Sequence, residues 1–376
     1  MNPYNILYLS IIALAMLCEK FKNGRIRINK KTYSISDLFY GVIAIILILF
    51  AGLVGDITSD HINYIKAFDK IRVLPFSQFF TLDFKIMYME KVYGLLLWII
   101  GQFTNKSVWV FIISSVLIVL PIVWCGRKSD DPILYLSLFL AAGYYFAGLN
   151  VVRQAIVASL FIIAVRYIQS GQIWKYCFSI LILSLIQISA LFMLPFYYLL
   201  RQNQSIKRTA LHMAIIGIAY TFTYQLMGVF DTLLFHEKYF NTGRVDSVHT
   251  ISKIIVPMLI FALCTFILSL RKNSHDMDAW RKAPECVNDK LVSMHTICSN
   301  ASYYWAMFWI MTLKFAYFER ITYYFFPLVA YSIANGVSRC QDQKVRLILK
   351  LSVFSLATVY YFAFGQHLDI YKFYFE

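Results

Sequence analysis

Two arginines stand at the start of long apolar runs. Arg153 opens one in GLNVVRQAIVASLFIIAV, and Arg320 opens another in FERITYYFFPL. A guanidinium presents a planar fork of donors that matches phosphate or diphosphate oxygens two at a time. An ionisable residue at membrane depth is costly and points to function, although an arginine at the end of a span also snorkels towards lipid headgroups. Two such arginines at one depth and on one side would suit a lipid diphosphate. Ahead of them, GDITSDHINYIKAF supplies Asp56, Asp60, His61 and Tyr64. A carboxylate there, facing the arginines across an outward cavity, could take a proton from a sugar hydroxyl. The same residues also read as an ordinary solvated loop. A later segment, FHEKYFNTGRVDSVH, adds His236, Lys238, Arg244 and His249 among aromatic rings. That mixture suits sugar stacking and phosphate contact, and equally a membrane interface.

Other patterns lead nowhere. His275-Asp276-Met277-Asp278 contains an acidic pair of the kind that holds a divalent metal, but so short a pattern arises readily by chance. Cys286, His295 and Cys298 match no zinc-ligand spacing. No metal and no cofactor are expected. The chain has no P-loop, no HExxH and no GxSxG with partners. ATP-driven transport and hydrolase chemistry therefore have no support. The apolar runs carry few acids, which speaks against a proton-coupled transporter.

The elements that must position these residues are membrane helices. Of the 376 residues, 60% are hydrophobic and 15% are charged, against about 25% charged in a soluble domain. The apolar residues come in blocks such as Ser36 to Val54, Ser107 to Trp124 and Pro132 to Leu149. Each is close to the roughly 20 residues that cross a bilayer core as a helix. Backbone groups in lipid must be satisfied internally, and the alternation expected of a β-barrel is absent. The reading is all-α: a polytopic helix bundle of about 10–12 spans forming a single integral membrane domain. Spans are expected at about 3–18, 37–54, 107–125, 132–149, 151–169, 209–228, 253–270, 300–318, 320–337 and 345–365. The first is read as a retained helix, because no basic region precedes it and no small-residue cleavage site follows. Val92 to Phe103 is too short to cross. Trp174 to Leu200 is too long for one ordinary helix, and is either a tilted span or a short pair that turns back near Gln187 to Ser189.

Charge sets the expected orientation. The net charge of +15 fits cytoplasmic loops rich in Lys and Arg better than a nucleic-acid surface. Lys20, Lys22, Arg25, Arg27, Lys30 and Lys31 follow the first helix and should lie inside. Alternating from there puts the loop at about 271–299 inside, and loops at about 55–91 and 229–252 outside. Arg153 and Arg320 then fall at the outer boundary. None of the seven cysteines falls in an outer loop, as reduced thiols require.

The run GYYFAGLNVVRQAIVASLFIIAV, with WKYCFSILILSLIQISALFMLPFYYLL after it, resembles the EpsG/Wzy-type polysaccharide polymerases. The resemblance rests on Asn150, Arg153 and Gln154 opening a helix, on Gly55-Asp56 and Asp60 to Tyr64 before it, and on Glu319, Arg320, Tyr323 and Tyr324 late in the chain. It spans about residues 50–340. Where that family often has Phe-His-x-Ser-Ala, this chain reads Ile186-Gln187-Ile188-Ser189-Ala190. Gln187 can hydrogen-bond but cannot relay a proton at neutral pH. The resemblance implies a GT-C-like membrane glycosyltransferase in the bacterial inner membrane, with its active site facing the periplasm. It would join oligosaccharide repeat units carried on undecaprenyl diphosphate into O-antigen or a related polysaccharide, without a metal. It implies Arg153, Arg320 and Asp60 as catalytic residues, and Asn150, Gln154, Gln187, Tyr64, Tyr324 and Arg244 as substrate-binding residues. The implied partners are the lipid-linked oligosaccharide, membrane lipid, a chain-length regulator and a flippase, with no nucleic acid. Two alternatives remain: an O-antigen ligase, and a lipid-linked oligosaccharide flippase that is not an enzyme.

Overall fold

A computed structural model describes residues 2–28, 31–55, 59–79, 89–202, 251–269 and 291–364, with scattered positions between 211 and 225. The described chain is helical except for one small hairpin. The chain divides into two compact units. One comprises Met1–Ile163, Leu185–Gln187 and Ile333–Glu376, and the other Ala164–Ser184 and Ile188–Ser332.

The first unit begins with α1 (Pro3–Lys20), whose start is fixed by Pro3 and by Asn2, which accepts from the Tyr4 amide at 3.0 Å. The basic segment after it, expected on the inner side, pairs as antiparallel strands β1 (Arg25–Ile28) and β2 (Lys31–Ser34). Next come α2 (Ile35–Gly52), α3 (Ser59–Ile71), the single turn α4 (Phe76–Phe79), α5 (Lys91–Phe103) and α6 (Val108–Lys128). Helix α2 packs along α6, and α1 packs against α2 and α7 (Pro132–Ala141). The last described helix, α15 (Gln343–Phe364), also packs on α7.

The expected span 132–149 is two helices. α7 and α8 (Tyr144–Asn150) meet at an angle of 47°. Gly143 sits at the break with φ +79°, a left-handed conformation that glycine adopts freely and an L-residue adopts at a cost. A Cβ at Gly143 would meet nothing within 4 Å, so the backbone conformation and not space demands the glycine. The described part of the loop expected at 55–91 is largely helical. α3 buries His61, Tyr64, Ala67, Phe68 and Ile71, a stripe at helical spacing, and packs on α5. The approach is close: a Cβ on Gly101 would come within 2.4 Å of the Arg72 Cβ and 2.9 Å of its Cα. The Trp98 indole donates to the Leu74 carbonyl at 2.9 Å and secures the same end of α3.

The two ends of the first unit hold different groups. At one end the N-terminus of α2 meets the C-terminus of α6, where Arg127 pairs with Asp37 at 2.7 Å. Arg339 pairs with Asp130, and Lys350 with Asp131 at 2.6 Å. Asp131 also caps α7, its other oxygen accepting from the Leu134 amide at 3.1 Å. Asp130, Asp131 and Lys350 border an open cleft of about 570 Å³ that includes Glu19, Lys344 and Arg346. The opposite end holds the C-terminus of α2, helices α3 and α5, the N-terminus of α6 and the start of α9 (Val152–Gln169).

In the second unit, the stretch 174–200 doubles back. α10 (Ile173–Ser184) is followed by a 3-10 turn at Ile188–Met193 and by α11 (Phe196–Arg201). Tyr176 donates to the Met193 carbonyl and lies 5.5 Å from the Tyr197 ring, contacts that a continuous helix would forbid. This is the turned-back form of the two that the sequence left open. The Asn300 amide donates to the carbonyls of Leu200 and Gln202 at 3.0 and 2.8 Å, tying α11 to α13 (Met294–Met311). The core is aromatic: Phe196 meets Tyr304 edge-on at 5.1 Å, and Phe308 stacks on Phe325 of α14 (Glu319–Ser338) at 5.9 Å. α12 (Ile251–Ser269) packs on α13.

Among the described residues, α2, α6, α9 and α15 are long and apolar enough to cross a membrane, and the bent α7–α8 pair makes a fifth if it forms one span. Helices α1, α12, α13 and α14, of 18, 19, 18 and 20 residues, also have the length to cross, at about 27–30 Å. The 13 residues of α5 reach only about 20 Å. The expected span at 209–228 falls largely outside the described residues, as does most of the 271–299 loop. The six described cysteines are free.

Candidate functional site

Arg153 lies in the first turn of α9, just past the short helix α8. The glycine break at 143 and the turn at Val151 end one helix and start the next, so the guanidinium projects from a fresh N-terminus and not from mid-helix. The unpaired amides of a first helical turn add positive potential at that point. The Arg153 Nη1 is ion-paired with the Glu90 carboxylate, and Nε donates to the Tyr64 hydroxyl at 3.3 Å. The guanidinium carbon also stands 5.9 Å from the Tyr64 ring centroid. Only 14% of the Arg153 side chain and 19% of Glu90 remain exposed. So little solvent screens the charges weakly, and a pair in that setting interacts more strongly than one on an open surface.

The ring of Tyr64 is held in turn. It meets Tyr93 edge-on at 5.6 Å, and the Tyr93 hydroxyl lies 3.3 Å from that of Ser114. A polar ladder thus runs from Glu90 and Arg153 through Tyr64 and Tyr93 to Ser114, linking α9, α3, α5 and α6. Apolar neighbours including Phe68, Leu97, Phe111, Val152 and Ile156 surround it. His61 plays a structural part. Its Nδ1 donates to the Gly55 carbonyl at 2.8 Å, and its ring packs 4.1 Å from Phe111. It lines a cavity of about 10 Å³ with Ser115, Tyr145 and Val152, room for about one water.

The structure brings Arg153 and Tyr64 together, and Glu90 is the carboxylate paired with the guanidinium. Asp60 was the acid expected to face an arginine, and the residue paired with Arg153 is Glu90. Asp60 is half-buried in the first turn of α3, one turn ahead of Tyr64 on the same helix face. Glu90 had no motif to mark it. Its only sequence signal is a lone acid at the point where a polar stretch gives way to an apolar helix, as the N-cap of α5. Asn150 is exposed at the end of α8, while Gln154 is buried beside Arg153. Gln187 is buried in the first unit. In the second unit Tyr324 is fully buried, with its hydroxyl 3.2 Å from that of Ser189. Arg320 is half-buried in the first turn of α14. Arg244 lies outside the described residues. Among the described residues, no group of three or more His, Cys, Asp or Glu side chains is arranged to hold a metal ion.

A polytopic α-helical membrane protein with a guanidinium sequestered at the start of one helix defines the class. The particular family follows from the sequence match: the chain belongs to the EpsG family, whose model matches residues 37–374. That membership sets it among membrane proteins of polysaccharide biosynthesis. No curated protein and no solved structure matches the chain.

Proposed function

We propose that this protein is a metal-independent glycosyltransferase that polymerises undecaprenyl-diphosphate-linked repeat units into O-antigen or a related surface polysaccharide. The observation that carries the reading is the Arg153 site: a guanidinium in a first helical turn, largely shielded from water and steadied by Glu90 and Tyr64. A diphosphate leaving group needs that charge and that fork of donors. The acceptor sugar hydroxyl attacks the anomeric carbon, the carbon–oxygen bond to the diphosphate breaks, and undecaprenyl diphosphate leaves with the electron pair. Arg153 binds the leaving group and offsets the negative charge that grows on it. Arg320, in the second unit, is proposed as a phosphate-binding group in its own right.

The arginines and lysines gathered at the end of the first unit away from Arg153 support a periplasmic site in the inner membrane. The end that carries Arg127, Arg339, Lys344, Arg346 and Lys350 takes the cytoplasmic side under the positive-inside rule. The Arg153 end then faces the periplasm, where lipid-linked repeat units are joined.

The test replaces the native gene with Arg153→Ala or Arg320→Ala and examines glycan length. Each change is expected to abolish long chains while single lipid-linked units persist. Normal chain lengths in both variants would overturn the assignment. Long chains that stay on the lipid carrier would identify a ligase, and units trapped on the inner leaflet a flippase.

A further inference from the structure

In the protein without substrate, the donors that would grip a diphosphate are already engaged by a carboxylate. Glu90 and an incoming phosphate are both anions that accept from the same guanidinium, so they compete for Arg153. We propose that Glu90 is the group a lipid diphosphate displaces from Arg153, and that the displaced carboxylate then receives the proton of the attacking sugar hydroxyl. The inference rests on the diphosphate reading of the Arg153 site and assigns that site a base other than Asp60.

Three observations carry it. First, the pair is largely shielded, with 14% and 19% of the two side chains exposed. A carboxylate there stabilises Arg153 while the site is empty, since an uncompensated charge in such a setting is costly. Second, Arg153 has partners besides Glu90. Arg153 keeps the Tyr64 hydroxyl and ring when Glu90 departs. Glu90 sits at the N-cap of α5 but makes no side-chain capping bond there, so moving it leaves that helix start as it was. Third, the geometry keeps the displaced group near the reaction. A carboxylate that gives up its place on a guanidinium by rotating its own side chain stays within a few ångströms of the phosphate that replaced it. The anomeric carbon is one oxygen away from that phosphate. Gln187 cannot accept a proton at neutral pH.

The proton balance closes without any other reagent. The acceptor oxygen forms its bond to the anomeric carbon as the bond to the diphosphate oxygen breaks. The electron pair leaves on the diphosphate, held by Arg153, and the acceptor proton passes to Glu90. Departure of undecaprenyl diphosphate returns Glu90 to Arg153, and the proton is lost to water.

The test compares the full chain with Glu90→Gln, a near-isosteric change that keeps a hydrogen-bond acceptor but removes the competing charge and the base. Binding of undecaprenyl diphosphate is measured with each purified protein in nanodiscs, and glycan length is read in cells carrying each gene. The expected result is tighter binding, by about tenfold, together with loss of chains longer than a single unit. Weaker binding would overturn the proposal, because Glu90 would then be holding Arg153 in place for the ligand. Tighter binding with normal chain lengths would also overturn it, since the carboxylate would be a competitor and no base. A variant that cannot be purified folded would overturn it as well, because a group the fold depends on is not exchangeable. Arg153→Ala is measured alongside. If that variant binds undecaprenyl diphosphate as well as the native chain does, the reading of the site itself fails, whatever Glu90 does.

Discussion

Tyr64 touches Arg153 in two ways, through its hydroxyl and through its ring, and two substitutions separate them. Tyr64→Phe removes one hydrogen bond to a charged group, worth about 1 kcal/mol at its 3.3 Å length. Undecaprenyl diphosphate binding should fall about fivefold at most, with polymer still formed. Tyr64→Ala also removes the ring that packs on Tyr93, and should shorten or abolish the polymer; equal effects of the two changes would show that the ring contributes nothing. Arg153 was legible because it opens a long apolar run, where a polar side chain stands out, and Tyr64 because it closes the Asp60 to Tyr64 segment of the resemblance. Glu90 was not, since its partner lies 63 residues away and nothing in its neighbourhood announces a pairing. Asp60, the acid that the resemblance implied, stands one helical turn from Tyr64 on α3. The burial of Tyr324 was equally invisible, because an aromatic beside an arginine looks the same whether it faces a cavity or a core.

Helix α3 is what brings Tyr64 to Arg153, and α3 is held by its close approach to α5. Gly101→Val would place carbon where the Arg72 backbone already lies, 2.9 Å from a Cβ at position 101. Such overpacking costs roughly 1–3 kcal/mol. The expected outcome is a lower unfolding temperature of the purified protein and a loss of long glycan, with membrane insertion intact; unchanged melting would mean that α3 yields without cost. Gly143→Ala acts differently, since its space is open and only the left-handed backbone resists, at about 1 kcal/mol. The period of α3 was readable in the sequence: positions 61, 64, 67, 68 and 71 already form a helical stripe, although the segment was taken for a loop. The excess length of 174–200 marked it as more than one ordinary helix and left a tilted span or a reversal open. The break at Gly143 gave no such warning, because apolar residues continue unbroken on both sides and a backbone torsion leaves no mark on composition. The β1–β2 hairpin was hidden for the opposite reason, the basic residues around it pointing to a loop before any pairing could be considered.

For the whole molecule, sidedness is the question that orders the rest. In a background without native cysteines, Asn150→Cys should react with a membrane-impermeant maleimide added to intact spheroplasts, and Lys344→Cys should react only after permeabilisation. Labelling of both from outside, or of Lys344→Cys alone, would invert or remove the proposed orientation. The helical class and the charge asymmetry were the most legible features of all, since composition and block length report them directly. The division into two compact units was not, because it depends on which helices pack together, and apolar runs of similar length do not encode their neighbours.

Asp131 divides its two oxygens between an amide of α7 and the ammonium of Lys350 on α15. Asparagine would keep the amide and forfeit the ammonium, glutamate would overreach the amide, and alanine would lose both. No replacement serves both neighbours, so a saturation scan read by protein abundance should find this position among the least forgiving in the chain. Intolerance to mutation would then mark a spot far from any sugar, and counting sensitive residues would be a poor guide to where the chemistry happens.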